Sequence, residues 1–342
     1  MLTSVGEAAA LAARPAAHRD LSVLRDLPAL AVDLRGDAAA DATTADLSPL
    51  ARLPLVVVAL TDGDIAPTGS ALDPFDVVVG SEAELDSLRD AVARNPQASV
   101  TLVQLLRLNA QLHPLDALVA ESLAYATLQG GAEFGAWLER RGTRVRRPSA
   151  ESPVLVARHD DVLRVELNRP RLHNLYDAAM RDALGDALTI AAADPTITTV
   201  VLSGRGKSFC AGGDLAEFGS VSDPATAHLI RSTANVAPLL LALADRLRVE
   251  VHGAAVGAGC EMAAFAGRVV ATPDAKFRLP EVAMGLVPGA GGTVSVPRRV
   301  GRHRAAWMML TGATLDAATA CAWGLVDDVC ERDASDAGSA VG

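Results

Sequence analysis

The chain has 342 residues, half of them hydrophobic, which is enough for a sizeable buried core and long for one domain. Its formal net charge of −10 repels nucleic-acid phosphates and anionic membranes, so neither is expected as a partner. The arginine-rich spots at Arg140-Arg141 and Arg144 to Arg147 are short and read as solvated faces or a linker.

The N-terminal alanine-rich run carries Glu7 and Pro15 and lacks a compact leucine-rich segment, so it does not read as a signal peptide. Without an apolar run of about 18 residues, a soluble, cytoplasmic protein is expected. Cys210, Cys260, Cys321 and Cys330 form no CxxC pair, which predicts reduced, mostly buried thiols and no metal site.

Residues 1–150 hold β-branched apolar runs at 53–60 (LPLVVVAL), 75–80 (FDVVVG) and 99–106 (SVTLVQLL), with helical patterns at 82–94 and 115–140. Strands alternating with helices predict a small parallel α/β domain, in which no chemical motif stands out. The polar, proline-containing stretch 144–152 (RVRRPSAES) reads as a linker. Beyond it, 154–168 alternates and turns at His159-Asp160-Asp161 as a hairpin does, and a helix is expected over 177–193. A strand at 199–203 then runs into SFCAGGDLAEF (208–218). After a helix at 225–244, a strand at 248–252 runs into GAAVGAGCEMAAFAG (253–267), so the unit of strand, glycine loop and helix occurs twice.

Glycines at a strand exit let backbone N–H groups approach something closely, and phosphate is the first candidate. A P-loop fails because Val201 stands where its first glycine belongs, and both GxGxx runs lack the final glycine of a dinucleotide fingerprint. Tight packing turns would explain either loop alone. Glu261 and Glu281 change the balance, because each is a carboxylate in apolar surroundings beside a glycine-rich turn. A buried charge costs several kcal/mol unless it is paired or used, so two of them point to acid/base groups at a site lined by backbone amides. His113, His173 and His252 read as core or surface histidines.

SFCAGGDL, HGAAVGAGCEMA, FRLPEVAMGLVPGAGGT and LTGATLDAATACAWGLVDDV, in this order and spacing, resemble the crotonase (enoyl-CoA hydratase/isomerase) superfamily over 154–329. The resemblance implies an α/β fold with a crotonase-type ββα spiral core at 151–332, preceded by the small α/β domain at 1–150 and followed by a flexible tail at 333–342. It implies that the Gly213 and Ala258 N–H groups form an oxyanion hole for an acyl-CoA thioester. Ala211, Gly212 and Asp214 would bind the coenzyme A part, the adenine meeting carbonyls near Ala211. Glu261 and Glu281 fall on the two glutamates of the family's hydratases and Gly289 on a water-positioning glycine. Keeping both glutamates favours hydration over isomerisation, thioester hydrolysis, cofactor-free oxygenation or a non-catalytic CoA-ester-binding subunit. The implied substrate is a coenzyme A thioester with no further cofactor, and the implied assembly a homo-oligomer, trimer or hexamer.

The chain departs from the family pattern at Ala258, where glycine is usual, and at Gly267, where aspartate is usual. The polar end CERDASDAGSAVG also stands where family members continue with helices. Segment 115–140, with Leu118, Leu123, Tyr125, Leu128, Phe134, Trp137 and Leu138, is expected to pack on the core in their place, from its own or a neighbouring subunit, the alternative being an independent N-terminal domain on a flexible linker at 144–152.

Overall fold

The computed structural model describes residues 1–63, 70–143 and 151–331. Most of the linker stretch, 144–150, and the tail expected at 333–342 lie outside the described residues. Two compact units emerge. The first holds Met1–Arg141 together with Pro280–Pro288 and Val300–Ala313, so it draws on segments assigned from sequence to 151–332; the second holds the remaining described residues.

The first unit is built on a parallel sheet of β1 (Leu2–Thr3), β2 (Ala29–Asp33), β3 (Val56–Leu60) and β4 (Val77–Val79), in spatial order β1-β2-β3-β4. Every residue of β3 and β4 is buried, as expected for a parallel strand covered on both faces. Two of the three strand expectations therefore hold in this unit. The third fails: 99–106 lies inside the helix Pro96–Asn109. Its β-branched residues suggested a strand, but Pro96 opens the helix and buried Ala98, Leu102, Leu105 and Leu106 follow helical spacing on one face. The sequence reading also missed β1 and β2, which are short or alanine-rich. The helix expected over 115–140 divides into Pro114–Gln129 and Ala132–Arg141, because Gly130 and Gly131 interrupt it. Of its large residues, Leu118, Leu128 and Phe134 are buried and Leu123 is 52% exposed.

The helix Arg302–Thr311 packs in this unit against β4 and the helices Glu82–Arg94 and Pro96–Asn109. A buried ionic knot holds it there. Asp76, 1% exposed, accepts from the Val57 N–H at 2.8 Å and from Arg107 Nε at 2.8 Å, with Arg302 Nη1 at 3.5 Å. Arg107 also donates to the Leu53 and Leu55 carbonyls.

The second unit contains β5 (Val154–His159), β6 (Val162–Leu167), β7 (Thr199–Gly204), β8 (Leu247–Val251), β9 (Ala254–Val256), β10 (Arg268–Ala271), β11 (Lys276–Arg278), β12 (Leu315–Asp316) and β13 (Asp328–Val329). Six of them form one sheet in the order β13-β10-β8-β7-β6-β5, parallel except for the hairpin β5/β6, which turns through Asp160 at φ +54°. A smaller sheet has the order β12-β11-β9. The helix expected over 177–193 is Ala178–Ala193, capped by the Asp177 carboxylate on the Met180 N–H at 2.8 Å. The one expected over 225–244 divides into Pro224–Ala234 and Ala237–Ala242.

Cys210 and Cys260 are buried, whereas Cys321 is half-buried and Cys330 exposed, so burial covers two of the four thiols. Among the described residues no helix is long and apolar enough to cross a membrane, and no cluster of side chains is suited to a metal ion.

Candidate active site

The two glycine loops of the second unit lie against each other as short parallel strands. The Cys210 N–H donates to the Ala254 carbonyl and the Val256 N–H to the Cys210 carbonyl, both at 3.0 Å. This pairing draws the strand exit after β7 alongside β9. Contact is close enough to exclude side chains: a Cβ on Gly259 would sit 2.4 Å from the Cys210 carbonyl oxygen, and one on Gly212 2.9 Å from that of Val256. Gly212 also has φ +96°, which other residues rarely adopt.

Gly213 and Ala258 stand on the two facing loops. Ala258 opens the short helix Ala258–Ala263, where its N–H has no intrahelical acceptor. At Gly213 the chain pairs through its neighbours, with the Gly212 carbonyl accepting from the Tyr176 N–H and the Asp214 N–H donating to the Tyr176 carbonyl. Among the described residues, neither the Gly213 nor the Ala258 N–H has a protein acceptor. Alanine at 258 keeps the donor that glycine would supply.

Glu261, 2% exposed, lies one turn along the same helix. Its Oε2 accepts from the Ala290 N–H at 2.7 Å and the Gly292 N–H at 2.8 Å. Burial pushes its pKa up to about 7, and the two N–H donors, which favour the carboxylate, hold it from rising further. A carboxyl group poised at that value takes and returns a proton near neutral pH. Gly289 directly precedes Ala290, so the segment singled out from sequence does reach Glu261, through the amides of Ala290 and Gly292. Glu281 is buried at the start of the 3-10 turn Glu281–Met284, in the first unit.

Of the expected coenzyme-binding residues, Ala211 is tied to the second unit by its N–H, which donates to the His173 carbonyl at 2.9 Å. The Asp214 carboxylate accepts from the Ala216 N–H at 2.9 Å and so fixes the turn after the loop. Gly267, the departure at the helix end, donates its N–H to the Ala244 carbonyl at 2.8 Å.

Asn174 went unnoticed in the sequence. It is completely buried, with φ +54°, accepts from the Arg169 N–H, and donates to the Arg205, Ser208 and Phe209 carbonyls. One amide thereby fixes the start of the first glycine loop. The available signal was an asparagine just ahead of a helix cap, because asparagine tolerates the left-handed region. His252, read as structural, indeed bonds through Nε2 to the Gly206 carbonyl at 2.9 Å.

Residues 157–336 match the family model described as Enoyl-CoA hydratase/isomerase. A 2,3-dehydroadipyl-CoA hydratase of Escherichia coli K12 is 38% identical over 182 residues, 53% of this chain and 71% of that protein. A mitochondrial enoyl-CoA hydratase of Pongo abelii is 34% identical over 168 residues, 48% of this chain and 57% of that one. The crystal structure of an enoyl-CoA hydratase from Thermoplasma volcanium covers 54% of this chain and 75% of its own at 32% identity, with a TM-score of 0.50. With two facing glycine loops, a buried carboxylate beside them and a matching family model over more than half its length, the chain belongs to the enoyl-CoA hydratase/isomerase family, within the crotonase superfamily.

Proposed function

We propose that this protein adds water across the double bond of an α,β-unsaturated acyl-CoA thioester. The observation that carries the reading is Glu261, a fully enclosed carboxylate tuned to about pH 7 on the same short helix as a free amide donor, Ala258. The Gly213 and Ala258 N–H groups would donate to the thioester oxygen as it gains enolate charge. Donors that strengthen only as charge develops contribute a few kcal/mol each to transition-state stabilisation. Glu261 would take the proton from water as its oxygen adds to C3, and Glu281, on the position of the family's second glutamate, would serve proton delivery to C2. Gly289 would help to position the water. Ala211, Gly212 and Asp214 would serve the coenzyme A subsite, Asp214 by shaping the turn that its carboxylate caps. The relatives named as hydratases support the same reading. A homo-oligomer, trimer or hexamer, is proposed for the active form and is tested by sedimentation.

The test is turnover of enoyl-CoA esters of rising chain length in ¹⁸O-labelled water. Hydration places the label on C3 of a 3-hydroxyacyl-CoA. A shifted double bond without label would show isomerisation, labelled free acid would show thioester hydrolysis, and binding without turnover would leave a CoA-ester-binding subunit.

A further inference from the structure

Tyr176 has no place in the chemistry above, yet it is pinned against the oxyanion loop. Its N–H donates to the Gly212 carbonyl at 2.8 Å and its carbonyl accepts from the Asp214 N–H at 3.1 Å, which makes it the in-register parallel partner of Gly213. Paired residues on adjacent extended segments send their side chains to the same face. The Tyr176 ring therefore leaves the backbone on the side toward which a Cβ on Gly213 would point. Phe218 closes that side too, with Cε2 2.8 Å from the position of such a Cβ. The chain has only 2 tyrosines and 6 phenylalanines, so placing one of each around this glycine is not explained by abundance.

The phenol is half-buried, and its hydroxyl hydrogen-bonds none of the described residues. A tyrosine O–H at a partly open position without a protein partner is available to hydrogen-bond a ligand. Burial above all keeps this group protonated; Arg181 acts the other way, while Cys210, Glu261 and Asp182 add to the effect of burial. It is thus a neutral donor. The protonated phenol carries no charge, so a neutral oxygen is an acceptor that suits it.

We propose that the Tyr176 hydroxyl is a substrate-contacting specificity group, donating a hydrogen bond to a neutral oxygen on the acyl chain close to the thioester, such as an oxygen on C3. The proposal rests on the acyl-CoA reading but not on hydration itself. It predicts that the site distinguishes two esters that differ only in that oxygen.

The experiment compares acetoacetyl-CoA with butyryl-CoA by calorimetric titration of the full-length protein and of Tyr176→Phe, which keeps the ring. Wild type is expected to prefer acetoacetyl-CoA, and the variant to lose about five-fold of that preference, the size of one neutral hydrogen bond. An unchanged ratio overturns the proposal, as does wild type that binds neither ester. Because neither ester is hydrated, a protein that shows this ratio but no hydratase turnover would refute the proposed reaction and leave the tyrosine assignment standing. A second readout uses 3-fluorotyrosine labelling, which gives two ¹⁹F resonances for the 2 tyrosines. The resonance absent from Tyr176→Phe is expected to move more with acetoacetyl-CoA than with butyryl-CoA; equal or absent shifts overturn the assignment.

Discussion

Replacing Glu261 by glutamine separates what this residue does for chemistry from what it costs the fold. The carboxylate is enclosed, two backbone donors among the described residues compensate it, and its pKa rises from an ordinary 4.5 to about 7. At about 1.4 kcal/mol per pH unit, that rise makes ionised Glu261 a burden of about 3 kcal/mol on the native state. The sign follows from proton counting. Below pH 4.5 the group is protonated in both native and unfolded chains and costs nothing. Between 4.5 and 7 the unfolded chain loses the proton first, so this contribution to stability falls as pH rises, and above 7 the full cost is present. Glutamine never ionises and its oxygen still accepts from Ala290 and Gly292. Glu261→Gln should therefore gain about 3 kcal/mol relative to wild type between pH 4.5 and pH 8, while kcat falls by at least ~100-fold. Urea unfolding of both proteins at pH 4.5, 6 and 8, analysed with a common slope, measures the stability difference. A constant offset from the amide does not matter, because the reasoning concerns the change with pH. A difference that stays flat across that range would refute the burial cost, and unreduced turnover would refute the acid/base role.

Gly213→Pro deletes one of the two proposed oxyanion donors and should lower kcat by at least ~100-fold, which steady-state kinetics on the preferred enoyl-CoA will show. Asp76→Ala leaves Arg107 and Arg302 facing a buried gap and should destabilise the protein by about 3–5 kcal/mol, read as a drop in the urea midpoint at pH 7. Asn174→Ala removes four hydrogen bonds and puts alanine at φ +54°; a loss of roughly 2–4 kcal/mol and weaker CoA-ester binding are expected by thermal melting and calorimetry.

The spiral core was legible because its chemistry is local in sequence. Glycine pairs at strand exits mark places where backbones must touch, and Gly212 and Gly259 do meet the Val256 and Cys210 carbonyls. Glu261 stood out as a carboxylate in an apolar run, and its burial bears this out. Its partners Ala290 and Gly292 did not stand out, because they act through backbone N–H groups that no side chain announces. Asn174 escaped for a related reason: its four bonds reach residues up to 35 positions away, a separation that periodicity cannot register. In the first unit the failure was of period. Ser99 to Leu106 is rich in β-branched and aliphatic residues, and only Pro96 at the helix start and the spacing of its buried face decide for a helix. Tyr176 was visible as a letter but silent as a signal, since its register against Gly213 exists only once the loop has paired.

The first unit is discontinuous in sequence, and the packing of one helix shows what that requires. Arg302–Thr311 buries Ala305, Ala306, Met308, Met309 and Leu310, and its His303 meets the Phe75 carbonyl through Nε2 at 3.0 Å. Arg302 donates to the Asp73 carbonyl at 2.6 Å. These partners, like the helices Glu82–Arg94 and Pro96–Asn109 against which it packs, come from the first 143 residues. The turn Glu281–Met284 packs likewise against Pro96–Asn109 and Ala132–Arg141. Residues 151–342 expressed alone would leave Met308, Met309 and Leu310 without that cover, at roughly 1.5–3 kcal/mol for each large apolar side chain. Their sum rivals the 5–15 kcal/mol by which a typical domain is stable. The fragment is therefore expected to aggregate or to lack turnover, and co-expression with residues 1–150 to restore a soluble complex. Size-exclusion chromatography and turnover of the preferred enoyl-CoA read the outcome. A soluble fragment of 151–342 with full activity would show that the packing of Arg302–Thr311 within the first unit is dispensable, and would break the link between that helix and the stability of the catalytic segment.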